Sequence, residues 1–295
     1  MSFLDRIHEC NGWDPSHFLP WSIAGEPVGR LRLEFAERLR RFTDIFVIAP
    51  SGVRLAAHLD TQAARSLALD LAIRELVREG SINHLHGESY PVIADCRTRP
   101  LAVMDRAAAP YFGIRTFGQH LNGFVRDAGG LRMWIGRRSV QRRVFPGRLD
   151  HLVAGGLPRG ISLQANLVKE CWEEAAIPQD LAMQAQPVGT VTYIKETEKG
   201  LKPDTLYCYD LELPKDFVPR CTDGEVESFS LLPLEEVISL VRDTSEFKPN
   251  CNLVIIDFLV RHGCLDPEQE EYSAIVEGLH PPSRPQAETM TADFF

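Results

Sequence analysis

The chain has 295 residues, 44% of them apolar, which suffices to bury an ordinary core in one large or two modest domains. A formal net charge of −9, from 41 acidic and 32 basic residues, argues against a general nucleic-acid or anionic-membrane surface. Seven cysteines without a CxxC pair or zinc-finger spacing suggest a reduced, cytoplasmic setting, and no segment reaches the length of a membrane span, since LVIIDFLV (253–260) is interrupted by Asp257.

In chain order, SFLDRIHEC predicts a first helix, GRLRLEFAERLRRF (29–42) a second, and residues 60–80, with apolar side chains at helical spacing, a third. Short strand-like runs separate them: IFVIA (45–49), VRLAA (53–57) after the turn Pro50-Ser51-Gly52, and PVIAD (91–95). Residues 1–115 thus read as a small α+β leader domain. It carries neither a phosphate loop nor a metal cluster, which suits a packing or substrate-lid module. From 116 the pattern turns to strands: GQHLNGFV, LRMWIG, LDHLVAG, and later PVGTVTYIKE (187–196), DTLYCYDLEL (204–213) and EVESFSLL (225–232). Helices are expected at PLEEVISLVRD (233–243), CNLVIIDFLVRHG and PEQEEYSAIVEGL (267–279), giving a mixed sheet between helices over 116–280. Residues 281–295 form a Pro-rich, weakly patterned tail.

The chemistry concentrates in GGLPRGISLQANLVKECWEEAAI, from Gly155 to Ile177. Ser162 is a suitable N-cap, and Leu167, Val168, Cys171 and Ala175 form an apolar stripe. Glu170, Glu173 and Glu174 then fall at i, i+3 and i+4 on one helix face, where like charges repel by a few tenths of a kcal/mol per pair (roughly). A divalent cation offsets that repulsion. Hard cations such as Mg²⁺ take carboxylate oxygens and are completed by substrate phosphates.

This spacing resembles the signature of the Nudix hydrolases. In words, that signature is Gly, five residues, Glu, seven residues, Arg-Glu, an apolar residue, any residue, Glu-Glu, any residue, Gly, apolar. Gly155 opens the box, Glu170 follows the basic Lys169, Cys171 takes the apolar place, Glu173 and Glu174 are the pair, and Ile177 closes it. Three positions depart: the early Glu is Ile161, the Arg is Lys169, and the late Gly is Ala176. In the family the early Glu and the Arg brace the loop against the helix, so here the internal brace is weakened and the metal face intact. A left-handed residue after the helix would make Ala176 about 1 kcal/mol less favourable than Gly. FGIRTFGQHLNGFV (112–125), WIGRRS (134–139), FPGRLDHLVAGGL (145–157), TDGEVESFSLL (222–232), EFKPN (246–250) and DFLVRHG (257–263) are similar to a narrower subgroup related to thiamine metabolism.

The resemblance implies an α/β Nudix sandwich with a mixed sheet. It implies Mg²⁺ (or Mn²⁺ in its place), a small-molecule diphosphate substrate, no nucleic acid or membrane partner, and a homodimer. The expected reaction converts oxidised or damaged thiamine diphosphates to monophosphates. Alternatives are a pyrophosphatase for ADP-ribose, NADH or another nucleoside diphosphate-linked compound, and a non-catalytic Nudix binding module. Glu170, Glu174 and Glu173 are the expected metal ligands and catalytic carboxylates, with the Gly155 carbonyl completing the shell. Glu225 and Glu227 are expected to share a strand face and add a further metal ligand or water-activating group. Among the basic residues before the box, Arg137, Arg138 and Arg148 are the candidates for the phosphate, with Lys248 by resemblance. His120 and Trp134 are candidates to line the organic half of the substrate. His151 and His262 read as structural.

Overall fold

The computed structural model describes residues 2–280, so the tail expected over 281–295 lies outside the described residues. Helix α1 (Phe3–Cys10) begins at a reciprocal cap: the Ser2 hydroxyl accepts from Asp5 N–H, and the Asp5 carboxylate accepts from Ser2 N–H. Strands β1 (Phe18–Ile23) and β2 (Glu26–Arg32) form a hairpin turned by Ala24 and Gly25 at positive φ. The helix expected over 29–42 is shorter for this reason. Residues up to Arg32 pair with β1, and only α2 (Leu33–Leu39) is helical. Strands β3 (Phe46–Ala49) and β4 (Gly52–Leu55) complete a four-stranded sheet of order β2-β1-β4-β3.

Helix α3 (Gln62–Arg78), capped by Thr61, buries Leu69, Ala72, Ile73 and Leu76 in a core shared with Trp21, Leu31, Phe35 and Phe112. The ribbon of β5 (Ser89–Val92) and β6 (Ala102–Asp105), and the short α4 (Ala109–Phe112), close this unit. Strand β6 was not foreseen. Its four residues are too few for period-2 alternation to register.

Strand β7 (Thr116–Asp127) is the spine of the second sheet. Its C-terminal end pairs with β8 (Gly130–Arg138) and its N-terminal half with β10 (Val153–Gly156), while β9 (Leu149–Asp150) pairs with β8. The single strand expected over LDHLVAG is therefore two, on different neighbours. After α5 (Leu163–Ala175) and α6 (Gln179–Ala182), the hairpin of β11 (Gln186–Thr197) and β12 (Gly200–Glu212) adds to the other edge, with β12 parallel to β7. Strand β13 (Val226–Pro233) joins β8, and the sheet order is β11-β12-β7-β8-β13. One face packs against α5 through Leu121, Val153, Leu167, Cys171 and Leu211. The other is covered by α7 (Leu234–Asp243), α8 (Pro249–Arg261) and α9 (Tyr272–Gly278), producing an α/β/α sandwich. Helix α9 is shorter than expected. Helix α1 departs from the division expected at 115: its Phe3, Ile7 and Cys10 are buried in the core of α7, α8 and α9.

Candidate active site

The start and stop of α5 set the register of the carboxylates. Ser162 Oγ accepts from Ala165 N–H at 3.1 Å. At the other end Ala176 is left-handed, at φ 52° and ψ 33°, and the N–H groups of Ala176 and Ile177 return to the carbonyls of Trp172 and Cys171. Glu170 then lies directly on Gly155. A Cβ at residue 155 would stand 2.4 Å from the Glu170 carboxyl carbon, so this approach of loop backbone to carboxylate requires glycine. Glu174 is 5% exposed, and its Oε2 accepts from Ala154 N–H at 2.7 Å. Glu173 is more exposed. Lys169 Nζ bridges Glu173 Oε2 at 2.6 Å and Glu170 Oε1 at 3.2 Å.

Beyond α5 the chain is tied to the last carbonyls of the helix. Arg220 N–H donates to Ala175 O, and Thr222 donates through both N–H and Oγ1 to Glu173 O, satisfying groups that a helix end leaves open. These ties bring Glu225 close enough for its charge to act on both Glu170 and Glu174. Glu225 itself pairs with Arg142. The expectation that Glu225 and Glu227 share a strand face fails. Glu225 precedes β13, and Glu227 sits at the irregularity between Val226 and Ser228, where two residues break the alternation, and is exposed.

Burial pushes the Glu174 carboxyl up to about 8; the Ala154 hydrogen bond opposes this, and the carboxylates of Asp150, Glu170 and Glu225 add to it. Burial raises Glu170 as well, against the pull of Lys169. Lys169 serves Glu170 and Glu173, but among the described residues buried Glu174 has only the Ala154 N–H; this group of carboxylates, beside a loop bare at Gly155, fits a hard divalent cation, whose preferred donors are these oxygens.

A second group of donors lies in the sheet. His120, Asp150, His151 and Cys251 are all buried, with one ligand atom each lying within 4.8 Å of the others. His120 Nδ1 and His151 Nδ1 are hydrogen-bonded at 2.9 Å, and the Cys251 thiol donates to Asp150 Oδ1 at 2.8 Å. Asp150 Oδ2 accepts from Lys248 Nζ at 2.8 Å and Arg138 Nη1 at 2.7 Å. Burial alone would raise Asp150, but Lys248, His120 and Arg138 hold it well below the usual carboxylate range. Burial also lowers His151 to about 4, leaving it neutral. Burial and the neighbouring His151 lower His120 further.

This cluster corrects three expectations. Arg138 and Lys248 are engaged by a buried carboxylate and are not free for phosphate. His120 is in the sheet interior, with His151 as its partner, and does not line an open cleft. Arg137 donates to Gly147 O at 2.8 Å and faces Glu246; Arg148 is exposed. Trp134 is 9% exposed and packs in the core beneath α5, its Nε1 without a partner among the described residues. Sequence reading passed over Asp150 and Cys251; the available signal was a polar Asp-His pair enclosed by Leu149 and Leu152.

The architecture agrees with comparisons to known proteins. A family model described as NUDIX domain matches residues 120–251, and one described as a domain of unknown function (DUF4743) matches residues 2–116. Nudix hydrolase 20, chloroplastic, of Arabidopsis thaliana is 44% identical over 288 residues, covering 94% of this chain and 77% of the relative. Nudix hydrolase 24, chloroplastic, of the same plant is 45% identical over 274 residues, covering 92% and 75%. An uncharacterized protein of Saccharomyces cerevisiae is 36% identical over 234 residues, covering 73% and 68%. The chain belongs to the Nudix hydrolase family. It is therefore a hydrolase of pyrophosphate bonds in small-molecule diphosphates, a chemistry the family generally runs with a divalent metal. The cytoplasmic setting does not stand, because both plant relatives are chloroplastic. Free thiols mark a reducing environment and name no compartment. Among the described residues, no helix is long and apolar enough to cross a membrane.

Proposed function

We propose that the protein is a Mg²⁺-dependent diphosphatase that converts oxidised or otherwise damaged thiamine diphosphates to monophosphates, releasing orthophosphate. The observation that carries the metal-dependent reading is the geometry of α5, which sets the Glu170 carboxyl directly on Gly155 and buries the Glu174 carboxyl against Ala154 N–H. Glu170 and Glu174 would hold the cation, with Glu173 and the Gly155 carbonyl completing the set and Glu225 at its edge. When bound, the cation neutralises diphosphate oxygens and acidifies water. A carboxylate of the box would take the proton of the attacking water as its oxygen approaches the terminal phosphorus in line; by position Glu174 is either this base or a ligand of the cation. The P–O bond to the bridging oxygen breaks, and that oxygen leaves with the monophosphate. With Arg138 and Lys248 engaged by Asp150 and Arg142 by Glu225, the exposed Arg143 and Arg148 remain as the basic groups of this segment from which the phosphate contact would come. The choice of substrate is supported by the separated sequence segments similar to the thiamine-related subgroup.

Mass-spectrometric product analysis with and without Mg²⁺ tests this reading on oxidised thiamine diphosphates, ADP-ribose and NADH. Monophosphate and orthophosphate from the thiamine compounds are expected. Cleavage confined to ADP-ribose or NADH would replace the substrate, and silence on every compound would leave a binding module. The homodimer belongs to the same proposal, and a monomer by light scattering would remove it.

A further inference from the structure

Arg97 lies outside the box, between β5 and β6, yet its guanidinium reaches the loop that leads from Gly155 and Gly156 into α5. Nη1 donates to Pro158 O at 3.1 Å and Nη2 to Ile161 O at 2.7 Å. One rigid fork therefore spans two carbonyls three residues apart within the loop, a geometry that Lys cannot reproduce. Other contacts from the same part of the chain converge here. Arg159 N–H donates to Ser89 O at 3.1 Å. Buried Ile93 belongs with Leu157 to a small apolar cluster against which Ile161 and Leu163 pack. A Cβ at Gly156 would come within 2.9 Å of Tyr90 Oη and 3.3 Å of the Arg106 guanidinium.

The second domain holds the start of this loop. Asn166 Nδ2 donates to Gly156 O at 3.0 Å, and Leu157 N–H to Phe117 O at 2.9 Å. Lys169, the basic residue of the box, is engaged by Glu170 and Glu173. Beyond that start, the carbonyls of Pro158 and Ile161 are satisfied by Arg97, and Ile161 joins an apolar contact where the box signature has an acid.

We propose that the N-terminal unit is a fixed brace of the box loop and that Arg97 is its positioning residue. The loop sets the place of Gly155, Gly155 is the floor on which the Glu170 carboxyl rests, and Arg97 thereby acts on cation binding without touching the cation. This rests on the reading of Glu170 and Glu174 as cation ligands. It replaces the idea of a lid: a fork on two backbone carbonyls together with an apolar plug closes the contact without any ligand.

The test uses the full chain and the variants Arg97→Ala and Arg97→Lys, with Mn²⁺ titration followed by electron paramagnetic resonance and amide hydrogen exchange on metal-free protein. Arg97→Ala should weaken Mn²⁺ binding by about 10- to 100-fold, the range found when outer-shell partners of metal ligands are removed, and Arg97→Lys by less. Exchange should accelerate over 157–162 while α3 and β7 keep wild-type protection, which also controls for folding. Unchanged exchange over 157–162 would overturn the brace, and faster exchange with unchanged Mn²⁺ affinity would overturn the positioning role. If wild type and Glu174→Gln bind Mn²⁺ equally, the assignment of the cation ligands fails and the positioning role with it; the exchange result still decides whether the brace exists.

Discussion

Replacing Glu174 by Gln tests the electrostatics of the carboxylate helix before any substrate is added. In the unfolded chain this carboxyl titrates near its ordinary value of 4.5, and in the metal-free native chain at about 8. Between those values the native state holds a proton that the unfolded state has released, so stability falls as pH rises. The cost is absent below the unfolded value, reaches about 3 kcal/mol by neutral pH, and levels near about 5 kcal/mol once pH exceeds the native value. Gln cannot ionise and keeps an oxygen for Ala154 N–H. In EDTA, Glu174→Gln should therefore be more stable than wild type by about 3 kcal/mol at neutral pH and equal to it in mild acid. Saturating Mg²⁺ should narrow the gap by stabilising wild type selectively. Turnover should move the opposite way, falling by about 10²- to 10⁴-fold. Urea unfolding followed by tryptophan fluorescence, with EDTA or Mg²⁺ from mild acid to mild alkali, measures the stabilities. A metal-free wild type whose stability does not decline with pH relative to Glu174→Gln would refute the reasoning.

Three further outcomes follow from the geometry. Gly155→Ala places a Cβ 2.4 Å from the Glu170 carboxyl carbon, so Glu170 must move; metal-dependent turnover should drop by at least about tenfold with near-native circular dichroism. Ala176→Gly relieves the left-handed position at the end of α5 and should raise unfolding free energy in urea by about 1 kcal/mol, a gain that would be absent if the position were unstrained. Lys248→Met removes one of two cations from buried Asp150 and should destabilise by about 3 kcal/mol while leaving KM unchanged at saturating metal. A raised KM with intact stability would return Lys248 to the substrate.

Local signals carried most of the second domain. The helix register was legible because Ser162 and the apolar stripe each act within a turn or two of α5. The strands of the large sheet were legible because they are long enough to alternate. What was not legible is pairing between distant segments. The fate of Gly29–Arg32 was decided by β1 across a turn, against the helical pattern of the following residues. Arg138 and Lys248 have the chemistry of phosphate binders, but the sheet sets Asp150 between them, and that placement depends on β8, β9 and the start of α8 meeting. Glu225 and Glu227 misled because one irregularity at the start of β13 cancels the period-2 rule. Ile161 was the residue whose departure from the box said most. Its apolar side chain and the carbonyl beside it are met by Ile93 and Arg97, which no local pattern could connect to it.

Locating a bound cation tests the central claim most directly, because two different donor sets compete for it. Anomalous scattering from crystals grown with Mn²⁺ should place the ion on the carboxylates of Glu170 and Glu174, at about 2.0 to 2.3 Å from their oxygens. An ion found instead among His120, Asp150, His151 and Cys251, with the carboxylate helix empty, would contradict it.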